Sequence, residues 1–474
     1  MHYSFMKKQT LYESVMADRD FLWGSATASF QVEGATREGG RSESVWDTFC
    51  RIPGRVHAGD TGDVSTDHYH RYKEDVQLLK DLGVGAYRFS LSWPRILPQG
   101  TGEPNAQGIA FYNSLIDELI AAGIKPVVTL YHWDHPQVLE DQGGWQNRQM
   151  AQWFLEYAKV CFQAFDDRVA MWSTINEPWS VAELGYRWGM HAPGIRDEQA
   201  SVSVIHHMNL AHGLAVSEYR AQGRSKPIGI VLNPQMPRPV TQDPDDVLAA
   251  DIAADRGIRM YLDPLIGKGY PQRWIDQHPD LTIPLEDGDL DIMAETLDYL
   301  GVNYYSEGVV GAPRTEQERQ HGFRYCLSWH PRTLMDWPVV PEGITRMLHW
   351  LHDHTGGIPQ YIMENGACYD DSVSIDVVGH GAEYHKVQRV HDHQRLHYIS
   401  RHIAQVLKAR EEGVAIKGYF VWSFIDNFEW SHGYSRRFGI VYHDYKTLER
   451  IPKDSYYWFR DLLTGYGTLD PWTD

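Results

Sequence analysis

Eight short apolar runs, spread along the whole chain and each separated from the next by helical or loop sequence, constrain this fold more than any other feature. In order they are "FLWGSATASF", "GAYRFSLSW", "KPVVTLYHW", "AMWSTINE", "KPIGIVLN", "YLGVNYYS", "PQYIMEN" and "IKGYFVWSF". Short runs rich in Val, Ile, Phe, Tyr and Trp, bounded by Gly, Pro or charged residues, read as strands. The stretches between them carry helical periodicity. In "RYKEDVQLLKDLG", Tyr72, Val76, Leu79 and Gly83 fall near helical spacing, and the glycine ends the pattern. "FYNSLIDELIAAG" repeats the design with Phe111, Leu115, Ile116, Leu119 and Ile120, and "RMLHWLHDHTG" precedes the seventh run. Strands joined through helices pair in parallel, and eight of them close into a (β/α)8 TIM barrel. An open doubly wound sheet is the alternative; the lack of a GxGxxG turn after the first strand counts against it.

Polar residues gather at the C-terminal ends of these runs: Arg88, His132, Asn176 with Glu177, Tyr305 and Glu364. In a barrel those positions ring the face that carries active sites. Glu364 in "YIMENG" follows an apolar run and precedes Asn365 and Gly366, which read as turn chemistry; Glu177 in "TINEP" follows Asn176, and Pro178 ends the pairing. A carboxylate at a strand mouth costs desolvation energy unless something uses it. Each one alone reads as an acidic residue capping a surface turn. Two of them facing each other across a barrel supply what cleavage of a glycosidic bond needs, one as nucleophile or base and the other as proton donor. Their surroundings must then push the two pKa values apart.

Composition narrows the partners. Against 44 Lys plus Arg stand 63 Asp plus Glu in 474 residues, a formal net charge of −19, which disfavours nucleic acid and anionic membrane surfaces. No apolar stretch approaches the roughly 18 residues of a membrane span, and the start of the chain lacks a signal-peptide core, so a cytoplasmic location is expected. Residues 1–17 read as an N-terminal extension and 18–474 as one barrel domain. The 17 Trp and 27 Tyr suit sugar rings as well as cores. Cys50, Cys161, Cys326 and Cys368 are scattered without metal-site spacing and read as free thiols. The 24 histidines raise the question of a metal, above all in "HDHQRLH" (His391, His393, His397) and "HWLHDH" (His349, His352, His354). His393 and His397 could share a helix face, but no third ligand is placed nearby, so both runs read as solvated helix surface, and no metal or cofactor is expected. No GxSxG elbow appears. A homo-oligomer stays open.

The motifs taken together resemble those of glycoside hydrolase family 1, the β-glucosidase-type retaining hydrolases. The resemblance runs from about Phe21 to Phe459 through "FLWGSATASFQVEGA", "SVWDTF", "DHYHRYKEDVQLLKDLGVGAYRFSLSWPRILP", "LYHWDHPQ", "TINEP", "GVNYYS", "ENG", "WSFIDNFEW" and "FGIVYHDY", in the family's order. It implies a single barrel with its site at the C-terminal strand ends, Glu177 as acid/base and Glu364 as nucleophile. It implies that Gln31, His132, Asn176 and Glu429 hold the non-reducing sugar, that Trp422 forms the platform beneath it, and that Trp133, Trp430 and Phe438 line the same pocket. Tyr305 and Arg88 would support the nucleophile, and Trp337 would stand against the leaving group. The implied reaction is hydrolysis of terminal β-D-glucosyl residues, with β-galactosyl and β-fucosyl ones beside them, from aryl and alkyl glycosides and cello-oligosaccharides through a covalent glycosyl-enzyme.

Met363, His135 and Ile175 depart from the family's usual threonine, leucine and phenylalanine, and "CLSWHPRTLMDWPVVPEG" matches it loosely. Two alternatives stay beside this reading: a 6-phospho-β-glucosidase and a barrel that binds sugar without cleaving it. Against the first stands Glu429–Trp430 in "NFEWSHGYSRRFG", where phosphate-sugar relatives carry small residues and add a lysine and a tyrosine. Against the second stands the retention of both carboxylates.

Overall fold

A computed structural model describes residues 13–14, 18, 20–380 and 383–465, so most of the expected N-terminal extension lies outside the described residues. Eight parallel strands close into a barrel: β1 Leu22–Ala26, β2 Ala86–Ser90, β3 Lys125–Tyr131, β4 Met171–Asn176, β5 Ile228–Leu232, β6 Tyr299–Asn303, β7 Gln360–Asn365 and β8 Ile416–Trp422. Every expected run supplies one, and β1 pairs with β8 to complete the ring. The main helices outside it are α1 His68–Leu82, α2 Ala106–Ala121, α3 Gln149–Phe165, α4 Glu198–Ala221, α5 Pro244–Ala254, α6 Pro341–Thr355, α7 His393–Glu411 and α8 Asp454–Thr464.

The helix stops follow their residues. Gly83 (φ 79°) and Gly356 (φ 70°) end α1 and α6 in the left-handed conformation that favours glycine. Asn105 starts α2 by accepting from the Gln107 amide, and Pro341 opens α6, where no amide donor is needed. In α2, Leu115, Ile116 and Leu119 are buried as their spacing predicts, whereas Ile120 is 45% exposed, because the fifth residue of the stripe falls past its edge.

Two apolar layers result. An annulus between strands and helices contains Leu79, Leu82, Ile116, Leu119, Phe162, Ile403 and Phe459. Truncating any one of these to alanine would cost about 2–5 kcal/mol. The barrel lumen is filled by Ala26, Ala86, Val127, Met171, Val231, Tyr299, Met363 and Phe420. Gly24 makes that filling fit, since a Cβ there would lie 2.3 Å from the Phe420 ring.

The barrel ladders are regular except at two strands. Register shifts occur where β7 meets β6 and β8, around Ile362–Asn365, and where β4 meets β5, between Ser173 and Asn176. These are the two strands that deliver Glu364 and Glu177. A local irregularity of this kind re-aims side chains at a strand end. Beyond β7, Ser374–His380 and Glu383–Arg389 form an antiparallel hairpin. Among the described residues no helix is long and apolar enough to cross a membrane.

Candidate active site

The two glutamates meet over the lumen in different company. Glu364 is 3% exposed; its Oε1 accepts from Arg88 Nη1 at 2.7 Å, and its Oε2 accepts from the Tyr305 hydroxyl at 2.6 Å. Glu177 is 6% exposed and has only neutral donors in contact, Asn303 Nδ2 at 2.7 Å and Ser180 Oγ at 2.7 Å. Asn176 Oδ1 accepts from Arg88 Nη2 at 2.8 Å and from Asn303 Nδ2 at 3.1 Å, so the residues around both carboxyls form one network.

That asymmetry sets their protonation. Burial pushes the Glu177 carboxyl up, the Glu364 charge adds to the effect, and the result is about 7. Burial also raises Glu364 above the usual carboxylate range, but Arg88 and the Tyr305 hydroxyl oppose the rise. The proton of the pair therefore resides on Glu177, the member without a cation in contact. One buried carboxylate beside one buried carboxylic acid can attack an electrophilic carbon and protonate the group that leaves it.

One wall of the pocket is polar and densely held. Gln31 Nε2 donates to Asn427 Oδ1 at 3.1 Å and to the Phe428 carbonyl at 2.9 Å, which leaves its Oε1 buried without a protein partner. Asn176 Nδ2 donates to His132 Nε2 at 3.0 Å, which places the imidazole proton on Nδ1, another buried atom without a partner. Glu429 Oε2 is a third. Buried polar groups almost always find partners, so Gln31 Oε1, His132 Nδ1 and Glu429 Oε2 leave hydrogen-bonding capacity unused in the pocket. The Trp422 and Trp430 rings both stack near the His132 imidazole, at 5.9 and 6.0 Å with interplanar angles of 15° and 17°. Trp133 Nε1 donates to the Asn176 carbonyl at 2.8 Å, and its ring lies 4.5 Å from that of Trp430.

Glu429 is the third buried carboxyl of the pocket. Burial, together with the charges of Glu364 and Glu177, pushes it up to about 8. Three of the pocket residues also hold the backbone at positive φ: Trp133 at 80°, Glu177 at 46° and Trp430 at 49°. Such conformations cost about 1–3 kcal/mol each in non-glycine residues and gather at functional sites.

Another part of the pocket is aromatic. Tyr305, Trp337 and Phe438 form a trio with ring separations of 5.4, 5.9 and 6.1 Å, and Met335 packs beside them. The three departures from the family pattern lie behind the site. Met363 fills the lumen, Ile175 is buried, and His135 bonds to the Tyr131 hydroxyl at 3.0 Å and to Glu140 at 2.9 Å.

All the sequence-chosen site residues thus converge, with three corrections to how they sit. Glu364 lies inside β7, not past it, because the register shift carries the ladder one residue further. Arg88 is mid-strand in β2 and reaches up from the lumen. Asn365 makes no turn: its Nδ2 donates to the Tyr304 carbonyl at 2.6 Å, and its Oδ1 accepts from the Tyr419 hydroxyl at 2.6 Å. Gly366 is required for close approach, since a Cβ there would meet the Trp422 carbonyl oxygen at 1.5 Å. Asn303 and Ser180, which hold Glu177, were not singled out from the sequence. Asn303 carries the same signal as the others, a polar residue closing an apolar strand; Ser180 carries none.

The family model described as Glycosyl hydrolase family 1 matches residues 14–468. "Beta-glucosidase A" of Thermotoga maritima is 44% identical over 451 residues, covering 95% of this chain and 98% of that protein. The "Bifunctional beta-D-glucosidase/beta-D-fucosidase" of Bifidobacterium breve is 39% identical over 469 residues, with 94% and 98% covered. Among solved structures, the family 1 β-glucosidase from Thermotoga maritima in complex with isofagomine lactam superposes with a TM-score of 0.88 at 44% identity, covering 94% of this chain and 98% of that one.

Proposed function

Because this chain belongs to glycosyl hydrolase family 1 and is a glycoside hydrolase, we propose that it removes terminal non-reducing β-D-glucosyl residues from aryl and alkyl glycosides and cello-oligosaccharides, and accepts β-galactosyl and β-fucosyl groups. The β-fucosyl extension rests on the bifunctional relative. One observation carries the reading: of two buried glutamates, Glu364 contacts a guanidinium and a tyrosine hydroxyl, and Glu177 contacts only neutral donors.

In this reading ionised Glu364 attacks the anomeric carbon while Glu177 gives its proton to the departing oxygen. The bond to the leaving group breaks as the bond to Glu364 Oε forms, giving a covalent α-glycosyl ester. With Glu364 esterified its charge is gone, the pKa of Glu177 falls, and Glu177 takes a proton from water attacking the same carbon as the ester bond breaks and releases the Glu364 carboxylate. Two inversions give net retention. Gln31 Oε1, His132 Nδ1 and Glu429 Oε2 bind sugar hydroxyls over the Trp422 ring, and the Tyr305–Trp337–Phe438 wall faces the leaving group.

The same pocket argues against a sugar phosphate. Burial already pushes Glu429 up to about 8, and the medium that opposes one carboxylate there opposes a phosphate dianion more strongly. Arg437 is engaged by Asp426 at 2.7 Å and stacks over Tyr442, so it is committed elsewhere. Proton NMR of the first glucose released from a β-glucoside tests the mechanism: the β-anomer is expected before mutarotation. An initial α-anomer overturns the double displacement.

A further inference from the structure

We propose that His391, His393 and Asp454 form a surface site for one zinc-class divalent cation that clips the start of α7 to the start of α8. The two histidines read from the sequence as solvated helix surface for want of a third ligand. The fold supplies that ligand from about sixty residues downstream. His391 Nδ1 lies 2.7 Å and His393 Nε2 lies 3.3 Å from Asp454 Oδ2, and the three candidate ligand atoms all fall within 4.8 Å of one another. Zinc bonds of about 2.0–2.1 Å in tetrahedral geometry set ligand atoms about 3.3 Å apart, within the range that this cluster spans. Two imidazoles and a carboxylate match the preferences of zinc more than those of magnesium or calcium.

Two further features build the site. The other nitrogen of His391, Nε2, meets Asp376 Oδ2 at 3.0 Å on the hairpin, the carboxylate–histidine arrangement that orients a metal-bound ring. The backbone beneath is pinned independently. Asp392, between the two histidines, is buried and accepts from the Ser455 amide at 2.8 Å and from Arg395 Nη1 at 2.6 Å, and the Asp454 amide donates to the Val390 carbonyl at 3.0 Å. The chain segments are thus held in register before any ion arrives. The N-termini of α7 and α8 place partial positive charge nearby, about half a unit each, and the carboxylates of Asp376 and Asp454 outweigh it. When the ion binds, Nδ1 of His391 releases its proton to solvent and turns from donor to ligand, with water completing the coordination shell. None of the residues lining the carboxylate pocket takes part.

The test uses untagged full-length protein stripped with chelator and titrated with zinc chloride, followed by calorimetry and by thermal melting with and without the metal. One equivalent should bind, and the melting midpoint should rise by about 2 °C or more at saturating zinc. His391→Gln and His393→Gln should each weaken binding at least about tenfold and erase the metal-induced rise, and Asp376→Asn should weaken binding about tenfold through the ring it orients. The readout is the increment on adding zinc, so a change in the metal-free midpoint of a variant does not blur it. Hydrolysis of an aryl glucoside should be the same with and without zinc. No uptake at one equivalent, or unchanged zinc binding in both histidine variants, would leave only histidine–aspartate ion pairs here and overturn the proposal.

Discussion

The pocket floor and the loop that leads to its aromatic wall are built on opposite principles. On the floor, Arg88, Asn176, Asn303, Glu177 and Glu364 hold one another through bonds of 2.7–3.1 Å, all buried and all on barrel strands or their ends. In the outer segment, Tyr325, Leu327 and Trp329 stand 79%, 77% and 95% exposed, tied down through a few backbone bonds such as Leu334 to the Cys368 carbonyl. The contrast teaches where discrimination is rigid. Groups fixed by several partners penalise any ligand that does not match them; an exposed aromatic adapts to many. The sugar ring should therefore be selected stringently and the leaving group loosely.

Removing the floor's charged member should have the largest effect. Glu364→Ala should lower turnover on the order of 10^5–10^6-fold, and added azide should restore it with formation of the α-glycosyl azide from an activated β-glucoside. Rescue giving the β-azide would exchange the roles of the two glutamates.

Glu177→Ala should cost about 10^2–10^4-fold on substrates with poor leaving groups and much less on activated aryl glucosides. Its pH signature sharpens the assignment. Glu177 sits near 7, so the active protonated form is present below that value and lost as pH rises through it. Glu364 is raised above the ordinary range, so its active ionised form is lost as pH falls through that value. The kcat/KM profile should be a bell, falling about tenfold per pH unit beyond its upper limb. That limb should vanish in Glu177→Ala on an activated substrate; its survival there would assign it to another group, Glu429 first.

Glu429→Ser should reduce kcat/KM for cellobiose about 10^2–10^3-fold. Cellobiose phosphorylated at the 6-position of its non-reducing glucose should be essentially inert toward the unaltered enzyme. Faster cleavage of the phosphorylated disaccharide would replace the substrate class.

At the other end of the scale, Trp329→Ala should alter kcat/KM by less than about threefold across aryl glucosides, and stability by no more than about 0.5 kcal/mol. A large, leaving-group-dependent loss would show that the loop is as selective as the floor.

The same division governs what was legible in the sequence. Strand identity follows from local composition, so all eight strands and the closed barrel could be read, and with them the residues at strand ends. What could not be read depends on contacts between distant segments. The register shift that keeps Glu364 inside β7 belongs to three strands at once. Arg88 acts from mid-strand through bonds to Thr129, Asn176 and Glu364 on three other strands. Asn365 resembles a turn residue until Tyr304 and Tyr419 claim its amide. Ser180 lies in a helical turn with no motif of its own, and Asp454 meets His391 only in the folded chain.

Glu177, Glu364 and Glu429 crowd one buried pocket in which Arg88 contacts Glu364, and burial with like charge pushes Glu177 up to about 7 and Glu429 up to about 8. Binding there is therefore linked to proton exchange. A sugar mimic carrying a cationic nitrogen favours the ionised carboxyls and expels protons as it enters, whereas a neutral sugar leaves them in place. Cationic mimics should bind more tightly as pH rises toward 8, until their own amine loses its charge, and their calorimetric enthalpy should vary with the ionisation heat of the buffer. The pocket thus behaves as a proton reservoir whose filling depends on the charge of its guest.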